Sequence, residues 1–385
     1  MISQIFAKKN KMAKKRISNP TLKLGTFLSI ITIQSCALHP VSWQPPIKPV
    51  HENALELNDK LQVSRKIDLD GWFGPEDIIF DKQGNLYCGV HIGKQDFSDG
   101  KILKISPDGV IQDFYDAGSW VSGLHFDSRN NLIVLSHKQG LISISPDKEI
   151  TSLANKDNNN RPFLIPNGLD IASDGNIYFS NTSHDSSYDI KYGRKLIIEL
   201  KPNGGLYQYN PLTKKVTTLI DGTYFGNGVV LSQNEDFILM TETTKYRIIK
   251  YWLKGPKKGE TEIFMDNLPG FPNGISIRED GSFWLVFSTR RNDALDKIHP
   301  KKGMKKLVYG LPDFIQPKQE EYGMILNISK EGKILSSLFD TTGAIIPEAG
   351  SVKENNGFLY IGGDIVPYIA SYKLEKRSTT KLKMD

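Results

Sequence analysis

Cysteine is scarce in this sequence: Cys36 and Cys88 are the two in 385 residues. A fold stapled by several disulfides is excluded, so a packed interior must hold the chain. Long apolar runs are missing too. The stretch Leu24 to Ile33 is about half of what a membrane-spanning helix needs. There is no Gly-rich phosphate loop, no Ser-centred nucleophile elbow, no Cys/His metal cluster and no His-Glu-x-x-His pair. Those absences remove nucleotide hydrolysis of the P-loop type, serine esterase chemistry of the α/β-hydrolase type and zinc peptidase chemistry. Acid is absent from one place only. The first 36 residues carry Lys8, Lys9, Lys11, Lys14, Lys15, Arg16 and Lys23 and no carboxylate, and the net charge of +6 less these seven leaves −1 for the rest. The basicity therefore belongs to a leader, and the body carries no nucleic-acid signature.

A basic segment followed by a short apolar one reads as an export signal. It ends at Ile33-Gln34-Ser35-Cys36, which resembles a bacterial lipobox. The expectation is a signal over residues 1–36, lipidation of Cys36, and a protein anchored by that lipid in a bacterial cell envelope. The body would then stand in the periplasm or extracytoplasmic space. Residues 37–60, with Pro40, Pro45, Pro46 and Pro49, have the composition of an extended tether. Residues 376–385 are a polar tail, and Cys88 reads as a buried small hydrophobe.

What fills residues 61–375 is a repeat. Phe80-Asp81-Lys82-Gln83-Gly84-Asn85-Leu86 recurs at Phe126 to Leu132, Ile171 to Ile177 and Ile277 to Phe283, with looser copies near Leu231 and Val352. Each copy is an alternating strand, a polar turn and a second strand, and a second hairpin follows it. Two hairpins make a four-stranded blade, and the spacing of the copies fits propeller blades. The fold expected is all-β: a six-bladed β-propeller whose ring is closed by the N-terminal strand, Gln62 to Ile67, in the last blade.

At one point of this module the chain repeats an Asn-Gly pair, as Asn167-Gly168, Asn227-Gly228 and Asn273-Gly274, each opening an inner strand. Glu76 and Ser122 stand at the matching point of two earlier modules. Arranged around an axis, one carboxylate and three amide carbonyls form an all-oxygen site for a hard cation such as calcium. Asn-Gly is also a hairpin-turn signal, but the turns here fall elsewhere, at Gly84, Gly175 and Gly281. Connections between second and third strands share the face of these residues, and three of them read as long: His91 to Gly100, Asn181 to Asn203, and Ser288 to Tyr322.

Gly74-Pro75-Glu76-Asp77, Leu206-Tyr207-Gln208-Tyr209, Thr241-Glu242-Thr243-Thr244 and Leu268-Pro269-Gly270-Phe271-Pro272-Asn273 resemble the strictosidine synthase-like branch of the calcium-dependent phosphotriesterase superfamily. Gluconolactonase, regucalcin and paraoxonase are its more distant members. The resemblance implies a six-bladed propeller, and it implies that Glu76, Asn167 and Asn227 are metal ligands. Asn273 departs from the pattern, because the hydrolases carry an aspartate there. Ser122 replaces a paraoxonase histidine, and Glu348 lies near the catalytic glutamate of strictosidine synthase itself. The function expected is calcium-dependent hydrolysis of a small lactone or aryl ester, with Glu348, His91 or Glu242 as the base. Two alternatives stand beside it: a small-ligand-binding propeller without catalysis, and a condensing enzyme that uses Glu348. His125 reads as structural.

Overall fold

The computed structural model describes residues 38–94, 96–185, 190–312, 315–316 and 319–375. Its strands form six four-stranded antiparallel sheets set around an axis. Blade one holds β2 (Ile78–Phe80), β3 (Leu86–Gly93), β4 (Asp96–Ile105) and β5 (Ile111–Asp116); blade two holds β6 (Val121–Phe126), β7 (Leu132–Ser136), β8 (Gly140–Ile144) and β9 (Ile150–Ala154). Blade three holds β10 (Pro166–Ile171), β11 (Ile177–Asn181), β12 (Gly204–Asn210) and β13 (Lys215–Thr223); blade four holds β14 (Gly226–Leu231), β15 (Phe237–Glu242), β16 (Arg247–Trp252) and β17 (Thr261–Met265). Blade five holds β18 (Gly270–Ile277), β19 (Phe283–Arg290), β20 (Gly323–Ile328) and β21 (Ile334–Asp340). In blade six, β22 (Ser351–Asn355), β23 (Phe358–Gly362) and β24 (Tyr368–Lys373) are followed at the outer edge by β1 (Arg65–Asp68), with Lys66 opposite Ala370.

Apolar alternation along these strands buries a layer between each pair of blades. Ile102 of blade one packs with Leu124 and Val134 of blade two, and Leu206 of blade three with Val229, Ile238 and Met240 of blade four. Each such side chain contributes about 1.5–3 kcal/mol on leaving water. Cys88 is fully buried among them. The turns are where the repeat puts them. Asp81 accepts from the amides of Gln83 (2.9 Å) and Asn85 (2.8 Å), and Gly84 takes the left-handed conformation, φ +83°, that this turn requires.

The connections on the axial face differ from one another. His91 to Gly100 is no open loop: β3 and β4 continue as a hairpin through it, with His91 paired to Gly100 and Gly93 to Asp96. The connection between β11 and β12 carries α1 (Ile190–Glu199), and that between β19 and β20 carries α2 (Asp293–Ile298) and α3 (Lys302–Tyr309). Asn292 caps α2 by accepting from the Leu295 amide at 3.0 Å.

Residues 38–52, with the prolines, form no regular element, and short 3-10 turns follow at Asn53–Leu55 and Lys60–Val63; the segment is docked on the propeller instead of spanning free solvent. The Val41 amide donates to the Glu199 carbonyl (2.8 Å) and the Trp43 amide to that of His299 (3.2 Å). Lys305, fully buried, donates to the Val41 carbonyl (2.7 Å), and Arg291 to that of Pro46 (2.7 Å). Leu38, Leu55 and Leu61 are buried, and the Trp43 ring meets Tyr246 at 5.6 Å. This strap ties the cap helices to the body. Cys36 and the rest of the leader lie outside the described residues, as does the tail.

Candidate active site and metal centre

The Asn-Gly pairs sit inside strands, at bulges. Pairing with the second strand shifts register between Pro166 and Leu169, between Gly226 and Val229, and between Pro272 and Ile275. A bulge re-aims the side chain it carries, and here it does so three times. Each asparagine then spends its NH2 on a hydroxyl in the neighbouring strand or one residue past its end: Asn167 donates to Thr182 (3.4 Å), Asn227 to Thr243 (3.4 Å) and Asn273 to Ser288 (3.0 Å). These donations fix the amide orientation and leave Oδ1 for another partner. Thr182 and Thr243 in turn donate to the carbonyls of Gly226 and Pro272, each at 2.7 Å, so one hydroxyl sets the ligand of its own blade and holds the next blade.

Glycine follows each asparagine because backbone passes there. A Cβ on Gly123 would stand 2.6 Å from the Asn167 carbonyl oxygen, one on Gly168 2.8 Å from that of Asn227, and one on Gly228 2.7 Å from that of Asn273. The inner strands thus interlock from blade to blade around the axis.

Glu76, Asn167, Asn227 and Asn273, each at least nine-tenths buried, all line a cavity of about 720 Å³. Trp120, Phe225 and Phe271 line its walls, and Ile197, Leu295, Ile298 and Val308 of the three helices cover it. A second, smaller space of about 40 Å³ shares Glu76, Asn167 and Asn227 with the first and has Asp77, Ser122 and Lys353 on its wall. Glu348 and Asp364 line the main cavity beside Glu76.

The electrostatics of this corner are those of crowded acids. Burial raises the Glu76 carboxyl well above its usual range, and the charges of Asp364 and Glu348 raise it further. Burial, then Asp364, lifts Glu348 to about 8, although Gln319 Nε2 (3.0 Å) and the Ile365 amide (2.7 Å) donate to its two oxygens. Glu76 Oε2, Asp364 Oδ1 and Asn273 Oδ1 are buried with no donor. Among the described residues no group of three or more His, Cys, Asp or Glu side chains is placed to hold a metal ion, so amides must complete any such set. The orphaned oxygens of Glu76 and Asn273, together with the oriented amides of Asn167 and Asn227, are donors of the kind a hard cation takes, and the residues fit one.

Of the base candidates, the structure brings Glu348 into the cavity and leaves two outside it. His91 is fully buried behind the wall, stacked near Phe97 (4.5 Å), with Nε2 on the Asp364 carbonyl (2.8 Å). Burial lowers its pKa. Glu242 accepts from the Tyr224 amide (2.8 Å) and is ion-paired with Arg247, its partner across the β15–β16 ladder. His125 lies 3.3 Å from Asp170 and is structural. Ser122 donates to the Pro166 carbonyl at 2.5 Å. Sequence reasoning missed Asp364. Its signal was Gly362-Gly363-Asp364 at the connection between second and third strands of blade six, on the axial face.

Six four-stranded blades around an axial cavity under a helical cap define the six-bladed β-propeller class. The strictosidine synthase family model matches residues 167–256, and the strictosidine synthase-like N-terminal model matches residues 54–94. Strictosidine synthase-like protein 3 of Arabidopsis thaliana is 30% identical over 353 residues, which cover 86% of this chain and 90% of that protein. The chain belongs to the strictosidine synthase-like family. The adipocyte plasma membrane-associated protein of Gallus gallus is 29% identical over 87% of this chain and 83% of its own. Among solved structures, a gluconolactonase of Xanthomonas campestris shares the fold with a TM-score of 0.58 and 15% identity, covering 87% of this chain and 99% of its own. Regucalcin of Agrobacterium tumefaciens, described as calcium-binding, shares it at 0.55 and 12%, covering 81% and 94%.

Proposed function

We propose that the protein hydrolyses a small lactone or ester at the axial site, with calcium held by Glu76, Asn167, Asn227 and Asn273. The observation that carries this reading is the pair of donor-less buried oxygens, Glu76 Oε2 and Asn273 Oδ1, on residues that line one cavity with a carboxyl group of raised pKa. A bound calcium ion would supply carbonyl polarisation and stabilise the oxyanion. The chain's own residues do the rest. Glu348, as carboxylate, takes a proton from water as the water oxygen bonds to the carbonyl carbon. The ring or ester C–O bond then breaks, and the same proton passes to the leaving oxygen. Gln319 holds Glu348 in place, and the apolar cap excludes bulk water.

A panel of lactones and aryl esters, assayed on chelator-stripped and calcium-reloaded protein, tests the reading. Turnover should vanish on stripping and return with calcium; no turnover with any substrate, or full turnover without metal, rejects it. A second reading rests on Glu348 alone. A cavity carboxyl with a pKa of about 8 donates and accepts protons at neutral pH without metal, which suits amine–aldehyde condensation. Glu348→Gln would then abolish condensation product and leave metal content unchanged. The basic leader and Cys36 support export and lipid anchoring; labelling with radioactive palmitate, lost in Cys36→Ser, tests that.

A further inference from the structure

We propose that Asp364 is a ligand of the axial cation and supplies, from blade six, the carboxylate that Asn273 does not supply from blade five. The inference rests on the cation reading above and concerns residues of this chain that the repeat does not mark. With Glu76 and three amides the site carries one negative charge; with Asp364 it carries two, matching a divalent ion.

Three observations place Asp364 there. The first is two buried oxygens with no donor from any other group, Glu76 Oε2 and Asp364 Oδ1, which crowd the same point: a Cβ on Gly350 would collide with one and stand 3.5 Å from the other. Side chains so placed need a proton or a cation between them, because an unpaired buried charge is costly. The charges acting most strongly on Glu76 are all negative, from Asp364, Glu348 and Asp77. The second is the path of the chain. Any side chain at Gly362 would collide with the Pro75 carbonyl, and one at Gly363 would stand 3.1 Å from Glu348 Cγ, so the two glycines let this connection pass between blade one and Glu348. The third is the anchoring of that connection: the Asp364 carbonyl meets His91 Nε2 at 2.8 Å, and the Gly74 amide donates to the Val366 carbonyl at 3.1 Å. This gives His91 a role, as the positioning residue that holds Asp364 toward Glu76. Glu348, by contrast, has donors on both oxygens.

Terbium luminescence titration and equilibrium dialysis with radioactive calcium, on the full chain, test the assignment without any assay of activity. Wild type should bind one ion, and Asp364→Asn should bind it at least about tenfold more weakly, the cost of one lost charge contact. Asn273→Asp in the Asp364→Asn background should restore affinity to within about threefold. Glu348→Gln should change affinity less than about twofold, separating a ligand from a general negative field. Should Asp364→Asn fail to fold, by circular dichroism, Asn273→Asp alone still decides, since a second carboxylate already present leaves it little to gain. If wild type binds no calcium, the cation reading falls and this inference with it. If wild type binds and Asp364→Asn binds equally well, or Glu348→Gln weakens binding as much, or Asn273→Asp alone tightens it a hundredfold, the inference alone is overturned.

Discussion

The two halves of the axial site are built differently. In blades three to five the groups are neutral amides, one per blade, each in a bulge, each oriented by a hydroxyl and followed by glycine. At the junction of blades six and one they are carboxyls, Glu348, Asp364 and Glu76, drawn from an inner-strand entrance, an interstrand connection and the start of the first blade. The amide half is a repeated device whose NH2 groups are all satisfied without a ligand. The acidic half is a set of departures from the repeat whose buried charges are not.

The largest effect expected is on the acidic half. Glu76→Gln removes the inner-strand carboxylate and should weaken calcium by about a hundredfold or more, read by the same dialysis; a variant that binds as tightly as wild type would erase the distinction between halves. Next comes a structural blow to the amide half. Gly168→Ala sets a methyl 2.7 Å from the Val229 nitrogen, against backbone that cannot rotate away, and should cost about 1–3 kcal/mol of stability in a denaturant melt.

The third test uses pH. Glu348 is raised from 4.5 to about 8 in the folded state, so its stabilising contribution is present below the unfolded pKa and is lost as pH rises from about 4.5 through about 8. Metal-free protein should lose thermal stability across that window, and Glu348→Gln should flatten the slope; equal slopes would place the acid crowding elsewhere. The smallest effect on the site is expected from Glu242→Gln. Loss of the pair with Arg247 should cost about 1–3 kcal/mol while calcium affinity stays unchanged, and a change in affinity would return Glu242 to the site.

The amide half was legible because it repeats: Asn-Gly recurs at one point of a module, and apolar alternation with Asp/Gly turns places that point at an inner strand. Glu76 was legible by register with the pairs. Asp364 was not, since the sixth module has Ala349-Gly350 at the matching point and delivers its acid from another connection. His91 looked available as a base because a histidine near an axial face carries no mark of burial. The docking of the strap escaped for a related reason. The composition of residues 38–63 says extended, but the partners that dock them, Lys305, Arg291 and Glu199, are remote in sequence.

The interlocked glycines bear on which ions this centre accepts. Where Gly123, Gly168 and Gly228 let carbonyl oxygens of the next blade approach, the bore of the ring is set by backbone meeting backbone, and no side-chain rotation narrows it. Donors on such a frame stay at one radius. Under the proposed cation reading, magnesium, which demands shorter bonds, strict octahedral order and most of its water, would find nothing that contracts to meet it, so the frame itself would discriminate by ionic size.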